Sequence, residues 1–262
     1  MLIDSHCHLD FPELAGDEAG VLARARTAGV AGMLTIGTRL DQFDKVRAIA
    51  ERHENIWCSV GVHPHEAKEE GQRTPDRLIE ATRHPKVIGI GETGLDFYYE
   101  HSPREEQAGS FRAHIAAARQ TGLPLIVHTR DADRETGDIL EEEYAKGAFP
   151  GLIHCFSSGS EVARRALALG MYISLSGIVT FKAAEGLRAI VRDIPLERLL
   201  VETDAPYLAP VPKRGKTNEP AFVAHTAAKV AELKGVGVAE LEAATTDNFF
   251  RLFAKAERIR CG

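Results

Sequence analysis

The sequence predicts an α/β fold, a single-domain (β/α)8 barrel spanning residues 1–262. Three observations predict it. Apolar, β-rich runs alternate with segments of 3.6-residue periodicity along the chain, which implies a parallel sheet faced by helices. There are eight such runs. A length of 262 residues also matches the roughly 250 that a barrel of this kind takes in one piece. An open nucleotide-binding sheet is the competing arrangement, and its G-x-G-x-x-G fingerprint is missing after the first run.

In chain order the predicted strands cover residues 1–8, 31–37, 56–63, 87–92, 124–128, 151–155, 171–176 and 198–204. Helical periodicity occupies residues 19–28, 44–52, 103–120, 160–169 and 184–192 between them. Gly29, Gly122 and Gly170 each follow a helical run, where a glycine ends a helix without steric cost. Pro103 opens another, at a position where its missing N–H is harmless. Two last helices, 220–233 and 239–254, complete the outer ring. No Pro/Ser-rich linker or low-complexity stretch marks a domain boundary.

Composition narrows the function. The chain is 44% hydrophobic and 27% charged, which excludes a disordered, collagenous or coiled-coil protein. Its 32 Lys and Arg stand against 38 Asp and Glu, a net charge of −6, so it has no global positive field for coating nucleic acid. A local basic patch remains compatible. The cysteines Cys7, Cys58, Cys155 and Cys261 form no C-x-x-C pair, which excludes a zinc ribbon or a thioredoxin-type motif. No basic, then apolar, leader opens the chain, and no apolar run reaches the ~18 residues of a membrane span. A soluble, cytoplasmic protein with no membrane association and no obligate protein partner is expected.

Barrel chemistry sits at the C-terminal ends of the strands. There the sequence offers His6 and His8, Glu92, His128, His154 and Asp204. Alternation puts His6 and His8 on one face, pointing inward, with Cys7 turned toward the helices. Imidazoles with carboxylates suit zinc, manganese or similar divalent ions. An H-x-H pair alone also occurs in ordinary packed strands; its coincidence with three more strand-end groups is what points to metal. His53, His84, His101, His114 and His225 lie in or beside helices and are read as structural. His63 and His65 follow the third strand: His63 is read as contacting substrate or supporting a ligand, and His65 as open to that role or to plain packing. Cys7 and Cys155 are expected to pack on the outer face, whereas Glu202 shares the inner face with Asp204, as an ion-pair partner or a support to the ligands.

Ser5-His6-Cys7-His8-Leu9-Asp10, Gly61-Val62-His63-Pro64-His65, Gly91-Glu92-Thr93-Gly94-Leu95-Asp96, His128-Thr129-Arg130-Asp131-Ala132, His154-Cys155-Phe156-Ser157, Glu202-Thr203-Asp204-Ala205-Pro206 and Arg214-Gly215-Lys216-Thr217-Asn218-Glu219-Pro220 occur in that order. This ordered set resembles the motif series of the TatD family of metal-dependent deoxyribonucleases, and Asn248-Phe249-Phe250-Arg251-Leu252-Phe253 resembles the family's closing helix. The resemblance implies a TIM-type barrel of the amidohydrolase superfamily with up to two divalent ions (Zn, Mg or Mn). It implies that His6, His8 and Asp204 hold one ion, that His128 and His154 hold the other, and that Glu92 bridges. Thr93, Thr217 and Ser158 depart from the commoner family residues, and Thr217 removes one possible phosphate contact.

The chemistry implied is hydrolysis by a metal-activated water, with Asp204 as general base, Glu92 at the shared metal position and His63 as a donor to developing charge. Lys213, Arg214 and Lys216 follow the last strand between prolines, and Arg214 and Lys216 are taken as phosphate contacts, against the plainer reading of a solvated charged loop. Tyr207 and Phe97-Tyr98-Tyr99 could stack bases or pack a loop. The leading expectation is a deoxyribonuclease acting on single-stranded DNA ends. The rivals are a hydrolase of a small amide, lactone or ester, or of an aminoacyl ester on RNA, and a binding protein with a vestigial site. The intact ligand set speaks against the last, and the basic loop favours DNA.

Overall fold

The computed structural model describes residues 1–70 and 75–259; Cys261 lies outside them. Eight parallel strands run in sheet order β1–β8, each hydrogen-bonded to the next in sequence. They are β1 Leu2–Cys7, β2 Val30–Thr35, β3 Ile56–Val60, β4 Val87–Asp96, β5 Leu125–Arg130, β6 Gly151–Ile153, β7 Tyr172–Leu175 and β8 Leu199–Val201. The helices are α1 Pro12–Ala15, α2 Glu18–Thr27, α3 Phe43–Arg52, α4 Ala67–Glu70, α5 Pro75–Ala81, α6 Arg104–Thr121, α7 Asp133–Ala145, α8 Ser160–Ala168, α9 Glu185–Asp193, α10 Val223–Lys234 and α11 Val238–Leu252. The predicted (β/α)8 barrel is the observed one, with all eight strands where the periodicity sets them. Gly29, Gly122 and Gly170 have φ of 85°, 71° and 77°, the left-handed conformation that makes glycine the natural stop.

Several strand ends differ from expectation. The fourth and fifth strands continue past Glu92 and His128 to Asp96 and Arg130, locked by the register Gly94↔His128 and Asp96↔Arg130. The sixth and eighth stop early, at Ile153 and Val201, so His154 and Asp204 stand on the loops that follow. The seam between β8 and β1 is therefore closed by that loop: Asp204 N–H donates to His6 O at 2.9 Å and His8 N–H to Ala205 O at 2.8 Å. Helix α7 lies outside the periodic segments that the sequence predicts. Its buried face includes Glu143, a charge that breaks the apolar stripe and is neutralised by Arg112, Arg119 and Lys146 at 2.7–2.9 Å.

The strands are buried on both faces, as parallel strands between a barrel interior and a helical shell must be. One core cluster joins Leu125, Val127 and Ile153 to the helices, while Ile3, Leu34, Trp57, Ile126, Leu152 and Leu200 belong to a second. Phe249, Phe250 and Phe253 close that second cluster from α11 and its end. Gly89 makes room for it, since a Cβ there would lie 3.1 Å from Ile126 and 3.2 Å from Phe253. In β1 strict alternation would put Leu2 and Cys7 on opposite faces, yet both belong to the outer cluster. A register shift between Asp4 and Cys7 supplies the change of parity that brings His6 inward and turns Cys7 to the helices.

Candidate metal centre

Glu92 is the hub. It lies within β4, only 3% exposed, and imidazoles converge on its carboxylate from two strands and two loops. Oε1 is 2.7 Å from His154 Nε2, 2.9 Å from His128 Nδ1 and 3.5 Å from His63 Nε2, and Oε2 is 3.4 Å from His6 Nε2. Asp204 Oδ1 completes the ring, 3.4 Å from His8 Nε2 and 3.7 Å from His6 Nε2. The six candidate ligands read from the sequence, contributed by distant parts of the chain, are thus brought to one place. All but the fully buried His6 line a cavity of ≈ 760 Å³ at the C-terminal end of the strands, a size suited to a small ligand or nucleotide.

Rigid supports hold these groups. Asp204 and Cys155 sit in the left-handed region, φ 56° and 44°, a costly conformation that a site residue keeps only when its surroundings enforce it. Buried Asp4 does so for Asp204. It accepts from Thr203 N–H at 2.9 Å, Thr203 Oγ1 at 2.6 Å and His6 N–H at 3.3 Å, tying β1 to the loop that carries Asp204. Burial pushes the Asp4 carboxyl up to about 8 despite these donors. Asn218 pins the same loop from the other side, donating to Thr203 O at 2.9 Å and Tyr207 O at 2.5 Å. Glu202 accepts from Cys155 N–H at 2.7 Å and lies 3.2 Å from His154 Nδ1, so it supports a ligand as well as balancing charge.

Electrostatics follow from burying acids among imidazoles. Burial opposes ionisation of Glu92, but His154, His63 and the His128 hydrogen bond hold it well below the usual carboxylate range. Burial likewise raises Asp204, and contact with His8 and the fields of His6 and His154 more than offset it. His63 is pushed far below its ordinary value, chiefly by burial, and is neutral. Its Nδ1 accepts His65 N–H at 3.2 Å, which leaves Nε2 as the proton-bearing nitrogen facing the centre.

The residues fit divalent ions. His6 Nδ1 and Nε2, His8 Nδ1 and Glu202 Oε2 are buried without a hydrogen-bond partner, an arrangement that costs stability unless something else is bound there. Three groups of possible donors have ligand atoms within 4.8 Å of one another: His6–His8–Glu92, His63–Glu92–His128 and His6–His154–Glu202. Glu92 belongs to two of them. His63 and Glu202 thus lie beside the candidate ligands read from the sequence, each within one of these groups.

Other expectations are revised. Cys155 does not pack on the outer face: the strand ends at Ile153, the alternation lapses, and the thiol lies 3.2 Å from Ser176 Oγ on the cavity wall. Arg214 and Lys216 are not among the lining residues; the Arg214 guanidinium covers the Phe181 ring at 3.9 Å and donates to Ala209 O at 3.1 Å. Phe97 packs against the core with Arg104 over it at 4.1 Å, while Tyr99 and Tyr207 line the cavity and are 50% and 52% exposed. Asp96 is a site residue that the strand-end reading misses. Its Oδ2 is 2.9 Å from His65 Nε2 and 3.3 Å from His128 Nε2, and, burial notwithstanding, those two contacts hold the carboxyl far below its usual range. Arg130, two residues beyond His128, is missed as well; both follow candidate ligands on extended strands at even spacing, which is the signal that could have found them.

Comparison with known proteins places this geometry. A family model described as TatD related DNase matches residues 3–254. The chain is 46% identical over 255 residues to an Escherichia coli K12 protein named uncharacterized metal-dependent hydrolase YcfH, covering 96% of this chain and 95% of that one. It is 36% identical over 261 residues to an Enterobacter lignolyticus protein named 3'-5' ssDNA/RNA exonuclease TatD, covering 97% and 100%. The crystal structure of the E. coli K12 TatD homolog YjjV superposes with a TM-score of 0.90 at 31% identity, covering 97% of this chain and 98% of that chain.

Proposed function

The chain belongs to the TatD-related DNase family, whose relatives are metal-dependent hydrolases, and from that premise we propose that it cleaves phosphodiester bonds of DNA, acting at single-stranded ends with two divalent ions, Zn, Mg or Mn. The observation that carries the reading is the position of Glu92 between His6 on one carboxylate oxygen and His128 and His154 on the other. In this reading His6, His8 and Asp204 hold one ion, His128 and His154 the other, and Glu92 is shared. Such ions, when bound, supply a hydroxide nucleophile near neutral pH and neutralise charge on the phosphoryl oxygens.

The chain's own groups do the rest. Asp204, kept ionised beside His8, takes the proton of the attacking water. Glu92, hemmed in by four imidazoles, fixes their orientation. Neutral His63 aims its Nε2–H toward the centre, where it donates to a phosphate oxygen as negative charge builds. Asp96 orients His128 and His65, and Asp4 with Thr203 holds the loop on which Asp204 stands.

The Enterobacter relative, named as an exonuclease of single-stranded DNA and RNA, supports the choice of strand ends. One observation favours a second reading, hydrolysis of a small amide, lactone or ester or of an aminoacyl ester on RNA: Arg214 and Lys216 lie outside the cavity lining. Incubating metal-loaded protein with end-labelled single-stranded DNA, RNA and a panel of small esters separates the two. Stepwise shortening of DNA is expected; ester turnover with intact DNA would replace the first reading by the second.

A further inference from the structure

We propose that Arg130 binds a second phosphate of the substrate, the one next to the phosphate being cleaved, and that the exposed tyrosines beside it carry the neighbouring base. The proposal rests on the phosphodiester reading above and adds to it a subsite that measures substrate length.

Charge and position carry the argument. The cavity wall holds the carboxylates Glu66, Glu92, Asp96 and Asp204 but a single lysine or arginine among the described residues, Arg130. Its guanidinium makes no ion pair or hydrogen bond among the described residues, although acidic side chains line the same cavity. By contrast Arg39, close to that wall, is committed to Glu66 and Asp41. A rim cation left without a protein anion, and facing a cavity, is a site for an anion that arrives with the ligand.

The guanidinium is also held in place. Its carbon lies 4.1 Å from the Tyr98 ring centroid and 4.8 Å from that of Tyr99, so both rings support it. The backbone beneath is fixed by the Asp96↔Arg130 register and by Phe97 N–H donating to Arg130 O at 2.9 Å. Tyr99 lines the cavity, is itself half exposed, and is backed by the His101 ring stacked 5.5 Å away and 6° from parallel. A base leaving the centre in this direction meets a braced aromatic edge.

Spacing sets which phosphate it is. Arg130 stands two residues beyond His128 along β5, and two residues of strand advance about 6.6 Å. That is the order of the distance between neighbouring phosphates on an extended strand. The reacting phosphate belongs at Glu92 and His128, so Arg130 reaches the next one. A dinucleoside monophosphate has no such phosphate and forgoes the contact.

The test compares cleavage of a dinucleoside monophosphate with the same compound carrying an added phosphate on its 5' or its 3' end. Wild-type enzyme should favour one phosphorylated compound, roughly 10–100-fold in kcat/KM, the range of a charge-assisted hydrogen bond. Arg130→Ala should erase that preference, bringing kcat/KM for the favoured phosphorylated compound down to that for the unphosphorylated one. Arg130→Lys should recover part of it, because charge returns without the planar fork. A preference that survives in Arg130→Ala, or an equal loss on all three compounds, overturns the subsite while leaving the nuclease reading intact. A wild-type enzyme that shortens single-stranded DNA but cleaves none of the three compounds overturns the subsite alone, and one that leaves the DNA intact as well overturns both.

Discussion

His6 and His154 stack face to face, ring centroids 3.9 Å apart and planes 11° from parallel, although 148 positions separate them in the chain (154 minus 6). Two imidazoles this close cannot both carry a proton cheaply, and burial together with His154 pushes the His6 ring below its ordinary value. Both can be neutral donors to a cation. Purified protein is therefore expected to hold one to two equivalents of divalent metal, with His6→Ala and His128→Ala each lowering that content. Elemental analysis and metal titration check it; protein that binds no divalent ion under any condition would remove the mechanism.

Asp204 and Glu92 should fail in different ways. Asp204→Asn keeps an oxygen of the same reach but loses the proton acceptor, so turnover should fall by roughly 10²–10⁴ while some metal stays bound. Glu92→Ala removes the group on which four imidazoles converge, so both metal content and turnover should collapse. Kinetics paired with metal analysis of the two variants decide this. A fully active Asp204→Asn enzyme with full metal would take the base role from Asp204.

Most of the barrel and the cluster of candidate ligands was legible because both follow from periodicity: eight apolar runs, with His, Glu and Asp at their predicted ends. What strand alternation misassigned are the places where the backbone leaves the strand. Cys155 faces the cavity because its φ of 44° breaks the alternation that would have turned it outward. Asp96 and Arg130 escaped notice because strand length is set by pairing between β4 and β5, which no local pattern encodes. Arg214 attracted attention as one of three cations in a short run, but its partner Phe181 lies far back in the chain, and only the fold brings them together. Helix α7 hid behind Glu143, a buried acid whose three cationic partners are two arginines of α6 and the lysine that follows α7.

Helix α6 steers the loop that carries His63. His114 Nε2 accepts Val62 N–H at 2.9 Å, and its Nδ1 donates to Ser110 O at 2.7 Å, so a neutral ring satisfies both contacts. Burial pushes this imidazole down to about 4. The unfolded chain takes up its proton near 6.5, so its contribution is fully present above that pH and is lost as the pH falls from 6.5 toward 4. At about 1.4 kcal/mol per unit, that is at most about 3.5 kcal/mol. His114→Gln, which does not titrate, should flatten the stability curve over this window relative to wild type. His114→Ala should cost about 1–3 kcal/mol at pH 7 by leaving the Val62 N–H buried and unpaired. Denaturant unfolding of metal-free protein from pH 4 to 7 reads both, and parallel curves for wild type and His114→Gln would refute the assignment.

The basic loop should matter only for long substrates. Lys216 is exposed and Arg214 lies against Phe181, both outside the cavity lining, so neither reaches a phosphate held at Glu92 and His128. A strand running out of the cavity can still pass them. Removing one cation that neutralises a phosphate of single-stranded DNA should flatten the slope of log K against log salt by about 0.7. Lys216→Ala and Arg214→Ala are therefore expected to weaken binding of a long oligonucleotide, with that change in slope, and to leave dinucleotide cleavage unchanged. The chain's net charge of −6 sharpens the comparison, because no distributed positive surface masks a local change. Oligonucleotide affinity across salt, measured with a metal that does not support turnover, gives the answer. An unaltered slope in both variants would make this a solvated loop braced by Phe181, with strand binding carried by the cavity alone.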